Sequence, residues 1–506
     1  MTGLSRPRRA GLAALLAAVC ALSACTPGGR PPSPGPITPR TITVISDEPP
    51  VDGWDPATAG GARTGALSNI YETLTRYDSA GKQVDPLLAT EWQPNKDNTV
   101  WRFSLRDGVR FHSGRPMTAQ AVRACILDTA RRDPASPWHA VRSVTTPNDG
   151  TVTITLDRPL PLADLAAAAH GAFVYDVHAA GDAPGKDGGT GPYRVARWKP
   201  GTATPLTLTR VPGYWAGWRN GQFTGVDFVV EKDPQAAVKR LRAHDSTIAL
   251  RLPATEWEGL RGEEGVQTSQ VTSWQVLFGL LDTHRLADPR VRRALSYGVD
   301  GAAIVDALRG ALLPATGVVP EGLYGHFVDL PLYPHDAGRA RALLDAAGKR
   351  HLRLTLAYAD EPGLATAARL IAAQLRGIGV TVDAHQKTPT AGGQDIALVY
   401  RRPDAPDPYP LFADTFATGA PGNLGRYSAP ALDRLLAGVR ATAAEDKDAA
   451  AQTYRQAQNR LIADAPALFL GTTQEQRAFR TDFLGYTDNP AYPDVVFAYG
   501  LGARAP

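Results

Sequence analysis

The chain reads as an α/β protein made of two unequal bodies, and three observations support that reading. Its 506 residues exceed what a single hydrophobic core usually supports, so length alone points to about three domains. The first half is rich in turn signals and short segments whose apolar residues alternate, as half-buried strands do. In the second half, helices with readable ends alternate with strand-like runs, the pattern of an α/β lobe. No internal repeat is visible. A hydrophobic fraction of 43% with 21% charged residues is ordinary for a globular protein. The formal charge of +4 is small for this length. It argues against a nucleic-acid partner, which would call for a concentrated basic stripe.

In chain order, the first element is a targeting segment. Arg6, Arg8 and Arg9 precede an alanine- and leucine-rich run over residues 10–22, too short for the roughly 20 apolar residues that span a bilayer. A positive start, a short apolar middle and small residues before a cut form a secretory signal. Leu22-Ser23-Ala24-Cys25 resembles the lipobox of bacterial lipoproteins. The resemblance implies removal of residues 1–24, acylation (palmitate among the chains) of Cys25, and a lipid anchor at the outer face of the cytoplasmic membrane or in the periplasm. An ordinary secretory signal with a chance cysteine is the alternative, and Arg8-Arg9 leaves twin-arginine export open beside the general route. Residues 25–40 continue as a proline-rich, solvated linker. Cys20 leaves with the signal and Cys125 lies on the apolar face of a helical pattern, where a lone cysteine is usually a small core residue. With no internal disulfide expected, stability rests on packing.

Strands are predicted at 41–45, 101–105, 151–156, 206–209, 226–230 and 352–356 from their two-residue period. Trp101, Phe103 and Leu105 share one strand face, a core pattern. Asp288 before Pro289 predicts an N-cap and first-turn proline. Asp300 predicts the cap of a second helix stopping at Gly310. A third helix runs from about Asp336 to Gly348, a C-terminal glycine. A fourth, 364–377, leads directly into the strand-like Val380-Thr381-Val382.

Catalytic motifs find little support. Ser79-Ala80-Gly81-Lys82 fits a Ser-x-x-Lys pattern, but Asp78, Ser79 and Gly81 read as a turn and no Ser-Asp-Asn or Lys-Thr-Gly accompanies them. In Gly188-Gly189-Thr190-Gly191-Pro192, the proline stands where a phosphate loop needs lysine, so the segment reads as a bend. His170 and His178 lack companions at metal-ligand spacing. No cofactor, metal or catalytic residue is expected.

A series of short signatures covers nearly all of the remaining chain. They are Asn69-Ile70-Tyr71-Glu72-Thr73-Leu74, Pro86-Leu87-Leu88-Ala89-Thr90-Glu91-Trp92, the run 101–114 (WRFSLRDGVRFHSG), Thr118-Ala119-Gln120-Ala121-Val122, Thr190-Gly191-Pro192-Tyr193, Gly213-Tyr214-Trp215, the run 291–300 (VRRALSYGVD), 340–348 and 374–380. In order and spacing they resemble the family 5 extracellular solute-binding proteins, the oligopeptide, dipeptide and nickel receptors of ABC importers. These motifs read as scaffold, identifying the fold and not the cargo.

The resemblance implies a two-lobed, periplasmic-binding-protein-like fold (type II, cluster C-like) with an extra small N-terminal subdomain, closing by hinge motion. Lobe I would combine 41–65, 186–272 and 482–506; 66–185 would be the inserted subdomain II and 273–481 lobe III. In peptide-binding relatives, an aspartate after a strand and before a Pro-containing loop pairs with the ligand's ammonium group. Asp404 best matches that position, with Asp407 second. The strand would end near Tyr400. Of Arg401 and Arg402, a possible carboxylate site, at most one should face the cleft, because adjacent strand residues point oppositely. Trp274 would be an aromatic wall or a core residue, and Thr58 and Gly60 would offer backbone groups. The chain departs from the family where an asparagine is usual near 280–281 and a Gly-Glu-x-Asp segment near 246–249. The implied protein is a monomeric, non-enzymatic receptor that passes peptides or a similar small polar solute to ABC permease subunits. A secreted envelope hydrolase built around Ser79 or a carboxylate pair with no recognised motif, and a sensor for a non-peptide ligand such as a nickel chelate or oligosaccharide, are the rival readings.

Overall fold

The computed structural model describes residues 40–504 apart from 52, 59–63, 82, 135, 169–170, 200–203, 362 and 404–405, and apart from the side chains of 441, 444 and 445. The signal segment, Cys25 and most of the linker therefore lie outside the described residues.

One sheet organises the molecule. Among the described residues it has eleven strands. From one edge they run Thr381–Gln386, Arg353–Tyr358, Ile396–Arg401, Val266–Leu281, Ala467–Arg480, Thr247–Ala249, Thr41–Ser46, Gly225–Val230, Leu206–Arg210 and Tyr193–Arg197, with Leu312–Pro314 added against Ala467–Arg480. The alternation TITVIS buries Ile42 and Val44 on one face and leaves Thr43 partly exposed, because strand side chains alternate.

Two long antiparallel strands, Val266–Leu281 and Ala467–Arg480, carry the sheet through both lobes. At one end Leu277–Leu281 pair with the strand Ile396–Arg401 of the C-terminal lobe. At the other, Phe479 and Ala478 pair with Ile248 and Ala249 of the N-terminal lobe. Their mutual register slips between Thr272 and Val276, and again between Leu277 and Phe278.

The predicted helix ends reflect local chemistry. The Asp288 carboxylate accepts from the Arg290 N–H, Asp300 from Ala303 and Asp336 from Arg339. Each satisfies a donor the first helical turn leaves free. The helices are Pro289–Gly298, Gly301–Ala307 and Ala337–Ala346. With Leu364–Arg376 they pack over Leu356, Ile396 and Leu398 to form the largest apolar cluster of the C-terminal lobe.

The inserted subdomain is a four-stranded antiparallel sheet, in the order Ala89–Pro94, Val100–Leu105, Thr151–Leu156, Val141–Asn148. Trp101, Phe103 and Leu105 are buried on one face with Val122 and Ile126 of the helix Ala119–Arg132, each large side chain contributing roughly 1.5–3 kcal/mol of burial. Cys125, on the same helix, turns instead into the N-terminal cluster beside Phe173 and Tyr175. Its thiol donates to the Phe173 carbonyl at 3.3 Å, and burial pushes it up to about 12, which keeps it an unreactive core thiol.

The family-like signatures fasten these bodies together. Asn69 donates to the carbonyls of Gly65 and Val496 and accepts from the Ala498 N–H, tying the C-terminal segment to the start of the insertion. Glu72 is buried and accepts from the Tyr214 hydroxyl at 2.7 Å and the Trp215 indole N–H at 3.0 Å. Arg106 stacks on the other side of Trp215, 4.5 Å from the ring centre. Gly189 and Gly191 pass so close to the Ile70 carbonyl that a Cβ would lie 2.1 and 2.6 Å from its oxygen. The 188–192 segment is therefore a close backbone crossing. Ser79 sits exposed in the turn between Thr75–Tyr77 and Val84–Pro86, closed by the Gly81 N–H donating to the Asp78 carbonyl. His178 is exposed; His170 and Lys82 lie outside the described residues.

Candidate functional site: the cleft between the lobes

Thr41–Ser46 runs parallel to both Gly225–Val230 and Thr247–Ala249, so the chain leaves Thr41–Ser46 and Thr247–Ala249 on the same side of the sheet. Ligands of open α/β sheets usually bind at such carboxyl ends. Here those exits deliver Asp47, Glu48 and Arg251. Arg251 adopts a left-handed backbone, φ 55°, uncommon for a residue with a side chain. Its guanidinium lies 3.1 Å from Asp47, 3.2 Å from Glu48 and 3.7 Å from Asp494. Burial alone would lower its pKa. The carboxylates of Glu475, Asp494, Glu48 and Asp47 outweigh that and hold it above the usual arginine range.

These residues form one wall of a cavity of about 660 Å³. Gln275, Thr473, Gln474 and Glu475, from the two long strands, make its floor. The opposite wall comes from the C-terminal lobe: Leu308, Arg309, Glu361, Gly363 and Tyr400. Burial, with Glu361 behind it, pushes the Tyr400 phenol up to about 12, so it is a neutral hydrogen-bonding group at ordinary pH. Carboxylates, a guanidinium, amides and a phenol thus converge on one space. Such a lining can hold a zwitterionic or otherwise polar solute from both ends.

Contacts already bridge the lobes around this space. The Arg402 guanidinium lies 3.8 Å from Asp494 and reaches the Ala491 carbonyl at 3.5 Å. Arg309 donates across the rim to the Thr255 hydroxyl at 3.3 Å; elsewhere, with neither residue lining the cavity, Lys447 lies 3.6 Å from Asp164 of the subdomain. Burial, then the neighbouring Glu475, pushes the Asp494 carboxyl up to about 7, against the pull of Arg402, Arg251 and Arg477.

A family model described as bacterial extracellular solute-binding proteins, family 5 (middle), matches residues 83–423. The chain belongs to this family. It is 28% identical to the probable D,D-dipeptide-binding periplasmic protein DdpA of Escherichia coli K12, over 84% of this chain and 87% of that one. It is 27% identical to di/tripeptide-binding protein 4 of Pseudomonas aeruginosa, over 88% and 92%. Among solved structures, the periplasmic binding protein DppA of Helicobacter pylori in complex with the peptide STSA superposes with a TM-score of 0.76. It is 20% identical, with 92% of this chain and 98% of that chain covered. The murein tripeptide binding protein MppA of Escherichia coli gives 0.75 at 23% identity, over 92% and 98%. These likenesses establish the two-lobed fold.

The residues singled out by sequence fall in different places in this receptor. Tyr400 lines the cavity. Arg401 turns to the other face of its strand, donating to the Tyr400 and Gly422 carbonyls at 3.1 and 3.2 Å, while Arg402 crosses to Asp494. Trp274 is 1% exposed and packs with Val276, Phe278, Phe412 and Tyr454; its indole N–H has no partner among the described residues. Asp407 is buried, accepting from the Tyr324 hydroxyl at 2.8 Å, the Tyr409 N–H at 2.9 Å and the Tyr454 hydroxyl at 3.4 Å, and its charge also reaches Tyr77 and Asp164 of the N-terminal half. Thr58 is exposed in a turn, its N–H donating to the Asp55 carbonyl. Asp404 and Gly60 lie outside the described residues.

Sequence reasoning did not single out Asp47, Glu48, Glu361, Glu475 or Asp494. A usable signal existed for the first pair, since they directly follow the first strand. None existed for Glu475 and Asp494, whose partners are brought to them only by the fold.

Proposed function

We propose that this receptor captures short peptides in the cleft between its lobes and delivers them to the permease subunits of an ABC importer, with no chemistry performed on the ligand. The observation that carries this reading is the 660 Å³ cavity between the lobes, a size within the roughly 300–1,000 Å³ of small-ligand sites. Its mixed lining of carboxylates, guanidinium and amides suits a zwitterion. The peptide-binding relatives named above lend the same support. In this reading lobe I comprises 41–65, 186–272 and 482–506, the inserted subdomain 66–185 and lobe III 273–481. The protein acts as a monomer outside the cytoplasm, tethered through acylated Cys25 with residues 25–40 as spacer. Asp404, the best match to the family's ammonium partner, serves that role here.

Thermal unfolding against pooled di- to hexapeptides, beside sugar and nickel-chelate pools, tests the cargo. A ligand at about 100 times its Kd adds roughly 2.7 kcal/mol, enough to raise the transition measurably. A shift with a sugar or chelate pool and none with peptides overturns the peptide reading. Asp404→Ala should weaken peptide binding at least tenfold, about 1.4 kcal/mol. A change within about twofold removes Asp404 from the site.

A further inference from the structure

The cleft cavity carries an uneven charge. Its lining sets Asp47, Glu48, Glu361 and Glu475 against Arg251 and Arg309. Both guanidinium groups are engaged: Arg251 with Asp47, Glu48 and Asp494, and the exposed Arg309 with Thr255 at the rim. Glu475 is held by the fully buried Arg477 at 3.0 Å. Glu361 differs from the others. Exposed on the cleft wall just before the helix Leu364–Arg376, its carboxylate makes no ion pair or side-chain hydrogen bond among the described residues. The cation nearest in influence is Arg401, which has turned away to the Gly422 carbonyl. Desolvation pushes the Glu361 carboxyl up, opposed by Arg401 and reinforced by Glu48 from the facing wall. Glu48 is itself paired with Arg251; Glu361, repelled by it, is the cavity-lining carboxylate with no ion pair of its own among the described residues. A cation supplied by the ligand would relieve that repulsion and gain a charge-assisted hydrogen bond. An acidic ligand would add to it.

On the reading that this cleft is the peptide site, we propose that Glu361, facing Glu48, is a specificity residue selecting peptides that carry a cationic side chain, lysine or arginine, over neutral and acidic ones. The terminal ammonium group is common to all peptides and gives no discrimination. Selection therefore acts on the side chain, and Glu361 reads it as a charge.

Calorimetric Kd values test this with tri-alanine, the three tripeptides holding one lysine among alanines, their acetyl-lysine counterparts and the three with one glutamate. The best lysine peptide should bind at least tenfold tighter than tri-alanine and more tightly still than any glutamate peptide. Acetylation, which removes the charge and keeps the bulk, should abolish the advantage. In Glu361→Gln the ratio of lysine peptide to tri-alanine should fall to within about twofold, and in the wild type it should shrink as salt is raised. Acetyl-lysine or glutamate peptides binding as tightly as lysine peptides would overturn the inference, as would a lysine preference that survives Glu361→Gln. Tri-alanine binding with no charge preference removes this inference alone. Failure of every peptide to bind removes the peptide reading and this inference with it.

Discussion

Replacing Glu72 by alanine should loosen the joint between the inserted subdomain and the N-terminal lobe. The Glu72 carboxylate is the acceptor for the Tyr214 hydroxyl at 2.7 Å and the Trp215 indole N–H at 3.0 Å. Each buried donor left without a partner costs roughly 1–3 kcal/mol. Tyr214 is 8% exposed and would bear most of its cost, whereas Trp215 is only partly buried and can recover a water. Part of the loss is offset because burial already opposes the carboxylate's charge. The expected net destabilisation is therefore about 2–4 kcal/mol. Urea unfolding followed by tryptophan fluorescence and far-ultraviolet dichroism measures it. Tyr214→Phe, which removes one donor, should cost about 1–2 kcal/mol. The double variant should be less destabilised than the sum by about 1 kcal/mol or more, since both changes break one interaction. A loss below about 0.5 kcal/mol for Glu72→Ala, the range of ordinary surface changes, would refute the reasoning. So would additivity in the double variant.

Other expectations are more compact. Because the Asp494 carboxyl is pushed up to about 7 from an unfolded value near 3.9, the native state holds the extra proton between them. Its contribution to stability is thus present below about pH 4 and lost as pH rises through about 7. Asp494→Asn should remove that part of the pH dependence of unfolding, and an unchanged slope between about pH 4 and pH 7 would exclude Asp494 as its source. Gly189→Ala should cost at least about 1–3 kcal/mol, because its Cβ would lie 2.1 Å from the Ile70 carbonyl oxygen and no rotamer relieves a backbone clash. By contrast Gly438, inside the helix Pro430–Glu445 with open space at its Cβ position, should tolerate alanine with a gain of about 0.5–1 kcal/mol. Denaturation midpoints of the two variants should move in opposite directions. Cys25→Ala should shift the protein from the membrane fraction to the soluble extracytoplasmic one. Unchanged retention, with no lipid on Cys25 by mass spectrometry, would discard the lipobox reading.

Much of the fold was legible because its signals are local. The caps at Asp288, Asp300 and Asp336 join a side chain to an N–H two or three residues on, so the sequence window that contains the cause also contains the effect. Alternation at 151–156 exposes the strand's burial in the same way. Glu72 could be recognised as part of a signature, but not as the acceptor for Tyr214, because the pair are 142 residues apart. The opposite faces of Arg401 and Arg402 follow from strand geometry, yet which of them reaches across depended on Asp494 returning from the C-terminus. The cleft suffered most from this limit. Its charged lining is assembled from strand ends, the crossing strands and a helix approach, and no short motif spans them.

The floor of the cavity has a mechanical consequence. Gln275 and Thr473 of this floor fall inside the register slip between Thr272 and Val276, with Gln474 at its edge, on the paired ribbon that passes through both lobes. On the proposed capture by closure about this ribbon, a solute on the floor rests near the axle of the movement, with the jaws turning about it. Displacement grows with distance from an axle, so floor contacts barely change as the lobes swing, while the Arg309–Thr255 contact at the rim changes greatly. Recognition and retention are thereby placed at different radii, so that the floor can tell solutes apart in the open protein and the rim can set how long each one stays.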